Sequence, residues 1–345
     1  MLKIIIVLTV YCLINYYILR RTATILGYNK AGIGFYILLA LCSFSYIGTA
    51  ILEHKVGGQI TSVLHTISGF WLGFGLLLFS FLLVFEVANL LLKIPPQTAR
   101  YLLLIPVFIS IYAVVNANLI TTKTVNIKTP GNIKIVQLSD IHLGSVSNRY
   151  LSRIVNKTNA LKPDLVLITG DLVDSSHRLD DKAQKLLNQL EGKVYFSTGN
   201  HERYAGLENV KQELDKTKIR ILDNESVRYK DIQVIGINDS SEEGYLKKQL
   251  ANIKVDKNAF TVLMHHKPTG LSTASKANID LMLSGHTHNG QIVPFNYLVK
   301  IKFKKIKGLY QNGPCKLHVT TGTGTWGPKM RLGSKNEITV FQPRI

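Results

Sequence analysis

Aspartate, asparagine and histidine recur in this 345-residue chain as five short clusters: Asp140-x-His142, Gly170-Asp171, Gly199-Asn200-His201-Glu202, His265-His266 and Gly285-His286-Thr287-His288. Carboxylate, amide oxygen and imidazole together suit hard-to-borderline divalent ions such as Mn, Fe or Zn. No cysteine falls among them, which argues against a structural zinc finger. One Asp or His alone is most often a cap or a satisfied polar group. The joint pattern is what points to a metal centre.

Clusters so far apart in sequence need elements that deliver them to one place. Each follows a short apolar run of strand type: IKIVQL before Ser139-Asp140, DLVLIT before Gly170-Asp171, KVYFST before Gly199-Asn200, FTVLM before His265-His266, and IDLMLS before Gly285-His286. Helix-like stretches at 151–160 and 180–190 separate several of them. The alternation predicts a layered α/β or α+β fold. In such sheets ligands collect in the crevice beyond the strand ends. Glycines just before Asp171, Asn200 and His286 allow sharp exits from the strands.

The blocks SDIHLG, TGDLVD, TGNHE, HHKP and SGHTHNGQ resemble, in order and approximate spacing, those of the calcineurin-like metallophosphoesterases. The later run GLY…VTTGTGTWGPKMRLGSKNEI is similar to the C-terminal part of a bacterial branch of membrane-associated or exported phosphodiesterases. The resemblance covers about Asn132 to the C-terminus and implies an α/β four-layer (αββα) sandwich over 132–345. It implies two divalent metal ions. Asp140, His142 and His288 would hold the first, Asp171 would bridge, and Asn200, His286 and His266 would hold the second. His266 is preferred to His265 because the family places its ligand two residues before a proline, here Pro268. By the same resemblance His201 protonates the leaving oxygen and Asp174 orients it. Asn289 stands where this branch often has glycine, and that departure touches no ligand. The chemistry is coherent: two cations ~3.5–4 Å apart clamp a phosphoryl group and acidify a bridging water, and an imidazole near its ordinary pKa suits proton donation to an alkoxide.

The rest of the chain belongs to a different solvent. Only seven of 41 Lys+Arg and two of 22 Asp+Glu precede Thr121, so the remainder carries a net charge of +14. Four apolar stretches, roughly 2–19, 33–52, 70–92 and 101–119, approach or exceed the ~20 residues that cross a bilayer as a helix. The expected organisation is a four-helix transmembrane region (1–120), a linker (121–131) and the phosphoesterase domain (132–345). Glu86, well inside a span, is read as paired with a neighbouring helix rather than as part of a pathway. With Lys123, Lys128 and Lys134 left out, the lysine and arginine bias places the catalytic domain outside the cytoplasm; counting them makes a tie.

Cys12, Cys42 and Cys315 form no pairing pattern, so no disulfide is expected. His54, His65, His177 and His318 lie outside the blocks and are read as non-catalytic. The segment VKIKFKKIKG, with Lys300, Lys302, Lys304, Lys305 and Lys307, reads as an amphipathic strand or a membrane-surface patch. Arg331 is a candidate phosphate contact. The expected partners are the bilayer and a phosphate-ester substrate, a lipid-linked one such as a nucleotide-diacylglucosamine pyrophosphate included. Nucleic acid is not expected, because no aromatic-basic stacking pattern is present. The expected reaction is hydrolysis of a phosphodiester or pyrophosphate at a membrane. Alternatives are a phosphomonoesterase or protein phosphatase, and a membrane sensor or transporter with a phosphate-binding domain.

Overall fold

A computed structural model describes residues 2–174 and 179–342; His177 lies outside the described residues. The chain divides into two compact units, one running through Asn116 and including Gly327–Met330, the other comprising Ala117–Trp326 and the residues from Arg331 onward.

The first unit is helical: α1 (Leu2–Leu26), α2 (Ile33–Lys55), α3 (Gln59–Leu92), α4 (Pro96–Leu102) and α5 (Leu104–Ala117). By length and apolarity α1, α2, α3 and the α4–α5 pair can each cross a membrane. Their outward faces stay apolar, with Ile60 79% and Leu90 81% exposed. A helix that is apolar on its outer face as well as its packed face suits a lipid solvent, where the backbone must satisfy itself. Ile18, Leu82 and Phe85 fill the contacts among α1, α3 and α4. Helix α3 begins well upstream of residue 70. Two of the polar side chains that interrupt its apolar run, His65 and Ser68, meet α2, where Thr49 Oγ1 lies 2.7 Å from Ser68 Oγ and 3.2 Å from His65 Nδ1. Glu86 pairs with Arg21 of α1, whose Nη2 donates to Oε2 at 3.1 Å, so the paired reading of Glu86 agrees with the geometry.

The second unit contains two six-stranded sheets. In chain order it runs β1 (Ile120–Asn126), β2 (Ile135–Leu138), α6 (Asn148–Asn159), β3 (Leu165–Thr169), α7 (Asp181–Leu187) and β4 (Lys193–Ser197). Then come α8 (Asn200–Ala205), α9 (Leu207–Leu214), β5 (Arg220–Ile221), β6 (Glu225–Tyr229), β7 (Ile232–Ile237) and α10 (Tyr245–Ala251). The remainder is β8 (Phe260–His265), α11 (Leu271–Lys276), β9 (Leu281–Ser284), α12 (Phe295–Lys302), β10 (Gly308–Asn312), β11 (Cys315–Val319) and β12 (Asn336–Gln342). One sheet has the order β1-β12-β2-β3-β4-β5, the other β10-β11-β9-β8-β7-β6. All five apolar runs that precede the polar clusters are strands: β2, β3, β4, β8 and β9.

Three apolar clusters hold this unit. Ile135, Leu165 and Leu167 of the first sheet pack with Val234, Val262 and Leu283 of the second. The first sheet also packs with Leu151, Ile154 and Leu187 of α6 and α7. Ile235, Leu263 and Met282 of the second sheet pack with Leu250 of α10 and Ala274 of α11. Cys315 is fully buried in this last cluster as a packing residue, as its place in an apolar stretch suggested.

Two expectations need correction. Residues 121–131, expected to be a linker, contain most of β1, which pairs parallel with β12 from Ile120–Asn336 to Asn126–Gln342. The strand was hard to see because it is an edge strand with only Ile120 and Val125 apolar and buried, between threonines and a lysine. The lysine-rich segment is not an amphipathic strand. Residues 295–302 form α12, because its helical period begins at Phe295, upstream of the alternating lysines.

Candidate metal centre

Every strand end named above carries its polar residues to one region. Asp140, His142 and His288 bring one ligand atom each into a common cluster, and Asp171, His266 and His286 form a second. His142 Nε2 lies 3.1 Å from His288 Nε2, and Asp140 Oδ1 lies 3.3 Å from the latter. Asp171 Oδ2 lies between the groups, 3.0 Å from His266 Nε2 and 3.8 Å from His142 Nε2. His286 Nδ1 is 3.3 Å from His266 Nε2. Six groups drawn from β2, β3, β8 and β9 thus converge, although they are spread along the chain from 140 to 288.

The backbone takes uncommon conformations to achieve this. Asp140, His142, Asp171, His286 and His288 all have positive φ, between 48° and 69°. For L residues that region costs roughly 1–2 kcal/mol each, and such strain gathers at functional sites. Asn289 follows at φ 52°, a conformation asparagine tolerates well, and its Nδ2 donates to Gly333 O at 3.0 Å. A Cβ at Gly285 would overlap Asp140 Oδ2 and Ser139 Oγ, and one at Gly170 would overlap His266 Nδ1. At those two positions the close approach of chain to site requires glycine.

Charge and hydrogen bonding fit resident cations. Asp140 Oδ1 accepts the His286 amide at 2.8 Å, whereas its Oδ2 is buried with no hydrogen-bond partner. Asn200 Oδ1 is likewise buried and without a partner. Buried oxygens are rarely left so, and carboxylate, amide oxygen and imidazole are the donors divalent ions of this class take. Burial, with His201 nearby, lowers the His142 pKa to about 4, and burial with the charge on His266 lowers that of His286 to about 3. Both are therefore neutral imidazoles, the form that ligates. His266 is raised to about 10 against the effect of burial, by the charge and hydrogen bond of Asp171. A proton there balances the buried carboxylates, which is the role a cation would take over. Two clustered His/Asp ligand sets consistent with a binuclear divalent centre are therefore present.

Beside them His201 Nδ1 lies 2.9 Å from Asp174 Oδ1, and the His201 amide donates to Asp171 Oδ1 at 2.9 Å. Burial disfavours the charged ring of His201, but the Asp174 hydrogen bond and the charge of Asp171 outweigh it and hold the pKa above the ordinary histidine value. The rings of Tyr204 and Trp326 flank His201 at 5.4 and 6.1 Å, and both are exposed.

Other residues fall where spacing alone could not place them. His265 is buried with a pKa lowered to about 4 by burial, which the negative charge of Asp239 only partly opposes. His318 is a fully buried core residue, with Nδ1 2.9 Å from Gln137 Oε1. Arg331 is no phosphate contact. It is fully buried, donates to His288 O at 3.1 Å and sits 3.0 Å from His288 Nδ1, so it braces that side chain. Glu202 was visible in its block but without a role. Its carboxylate accepts from the amides of Gly199, Asp171, Leu172 and Val173, tying the exit of β4 to the exit of β3.

Comparison with known proteins agrees with this centre. The family model described as calcineurin-like phosphoesterase matches residues 133–290. An uncharacterised metallophosphoesterase of Campylobacter jejuni is 37% identical over 268 residues, covering 73% of this chain and 71% of its own length. One from Aquifex aeolicus is 36% identical over 232 residues, covering 64% and 88%. A transmembrane protein with metallophosphoesterase domain from Danio rerio is 35% identical over 266 residues, covering 69% of this chain but 60% of its own length.

Proposed function

The chain belongs to the calcineurin-like phosphoesterases, metal-dependent hydrolases, and from that premise we propose that it is a membrane-anchored, two-metal enzyme that hydrolyses a phosphodiester or pyrophosphate. The observation that carries the reading is Asp171, whose Oδ2 lies within 3.8 Å of a ligand nitrogen from each cluster. A carboxylate so placed can serve two ions at once.

In this reading Asp140, His142 and His288 would hold one ion and Asn200, His266 and His286 the other, with Asp171 placed between the two sets. When bound, the ions supply Lewis acidity toward the phosphoryl oxygens and a water acidic enough to ionise near neutral pH. The protein's own part is positional. Arg331 and the His286 amide fix His288 and Asp140, and Glu202 holds two ligand-bearing turns together. Asp174 anchors Nδ1 of His201, so that Nε2 delivers a proton to the departing oxygen. The exposed Tyr204 and Trp326 rings on the His201 side supply apolar surface for an organic leaving group. The three apolar clusters support helix–sheet–sheet–helix layering of this unit. The lysine and arginine bias of the helical loops supports a catalytic unit outside the cytoplasm.

The test uses the full chain in detergent, with metal content measured alongside turnover of bis(p-nitrophenyl) phosphate and p-nitrophenyl phosphate. Chelator-sensitive turnover faster on the diester is expected. A faster monoester reaction would move the assignment to a phosphomonoesterase, and turnover indifferent to chelation would remove the two-metal reading.

A further inference from the structure

Helix α12 has no buried residue, and its outward face is apolar: Tyr297 is 65%, Leu298 60% and Ile301 78% exposed. Ile301 lies one helical turn beyond the other two, at i+4 from Tyr297 and i+3 from Leu298, so the three form one contiguous patch. Lys300 and Lys302 flank it, and Lys304 follows, all exposed. Apolar side chains bordered on both sides by lysines are the pattern of a helix lying in a bilayer interface. A protein partner of ordinary composition offers no reason for cations on both flanks, whereas an anionic headgroup layer does. The covalent chain adds a second reason. Only two residues separate Ala117, the end of the last apolar helix, from Ile120, the start of β1, so the catalytic unit is tethered close to any bilayer those helices occupy.

The patch is also bound to the metal centre. Asn296 packs so closely on Gly290 that a Cβ there would overlap its backbone, and Gly290 ends the turn that carries His288. Phe303 meets the His286 ring edge-on at 5.0 Å. Thr287 Oγ1 donates to Ile306 O at 2.8 Å. The segment 295–306 is therefore fastened along the loop that supplies two ligands.

We infer that α12 is an interfacial docking helix, which seats Tyr297, Leu298 and Ile301 in an anionic bilayer surface and thereby holds the loop that carries His286 and His288 close to the headgroups. The inference rests on reading the N-terminal helices as membrane spans. It does not depend on the phosphoesterase chemistry.

The test uses the full chain, with Cys12→Ser, in nanodiscs of phosphatidylcholine with or without phosphatidylglycerol; Cys42 and Cys315 are buried. An environment-sensitive fluorophore is placed at Leu298→Cys, at Val107→Cys in α5, or at the exposed Asn258→Cys. The Val107 probe should report lipid in both discs and the Asn258 probe water in both. The Leu298 probe should shift to the blue and be quenched by nitroxide lipids only with phosphatidylglycerol, and Lys300→Glu/Lys302→Glu/Lys304→Glu should abolish the shift. A Leu298 probe in water in both discs, while the Val107 probe reads lipid, overturns docking alone. A lipid reading that ignores both phosphatidylglycerol and charge reversal overturns the anionic partner. A Val107 probe in water overturns the spans and the docking with them.

Discussion

At the scale of single residues the centre makes separable predictions about chemistry and about shape. His201→Ala should leave metal content intact and slow turnover of a substrate with an alkyl leaving group by about 10²–10⁴-fold. The loss should be far smaller for a nitrophenolate, which needs no proton; equal losses on both would show a structural defect instead. In the proposed mechanism Asp174 acts through His201, so its test is a pH profile. The hydrogen bond to Asp174 helps hold the His201 pKa up, and an acid works only while protonated. Asp174→Asn should therefore move the alkaline limb of kcat to lower pH, and an unmoved limb would separate Asp174 from the proton donor. Gly285→Ala tests shape. The added Cβ would overlap Asp140 Oδ2 and Ser139 Oγ, both on a buried, close-packed turn, so metal content measured on the purified protein should fall even though no ligand is altered.

Elements explain what could and could not be read from the chain alone. β2, β3, β4, β8 and β9 were legible because each is a buried apolar run closed by glycine or a polar turn, and their ligand-type residues fell at the strand ends. The positive φ at five of those residues was not legible, since nothing in Asp or His as a residue type announces a left-handed backbone. The bracing of His288 by Arg331 was hidden for another reason: the two lie far apart in sequence and an arginine reads as a surface cation until its burial is known. β1 was missed because only two of its seven residues, Ile120 and Val125, are buried, so ITTKTVN looks polar. Its pairing with β12 along seven residues has a consequence. A fragment beginning at residue 132 lacks β1, exposes the inner edge of β12 and removes Ile120 and Val125 from the core. It should be insoluble or melt well below a fragment beginning at residue 118, with circular dichroism as the measurement. Equal melting would return 121–131 to the status of a linker.

Across the whole molecule two solvents meet two kinds of stabilisation, and metal removal should distinguish them. The helical unit is held by apolar packing and by the Arg21–Glu86 pair, with no ligand-type cluster among its described residues. The catalytic unit holds Asp140, Asp171 and six histidines at nearly complete burial, where cations bound only by the folded state stabilise it by mass action. At free metal about 1,000-fold above its dissociation constant one ion contributes about 4 kcal/mol. In a domain of this size each kcal/mol moves the melting point by about 2–4 °C, so chelation should lower the catalytic unit's transition by about 8–16 °C per ion. The helical unit should not respond. In a chelator titration followed by calorimetry in nanodiscs, two transitions are expected, of which only one moves; Arg21→Met should shift the other and leave turnover unchanged. A single transition that shifts as a whole would mean that the two units unfold together, and loss of turnover in Arg21→Met would give Glu86 a part in the reaction beyond holding α1 to α3.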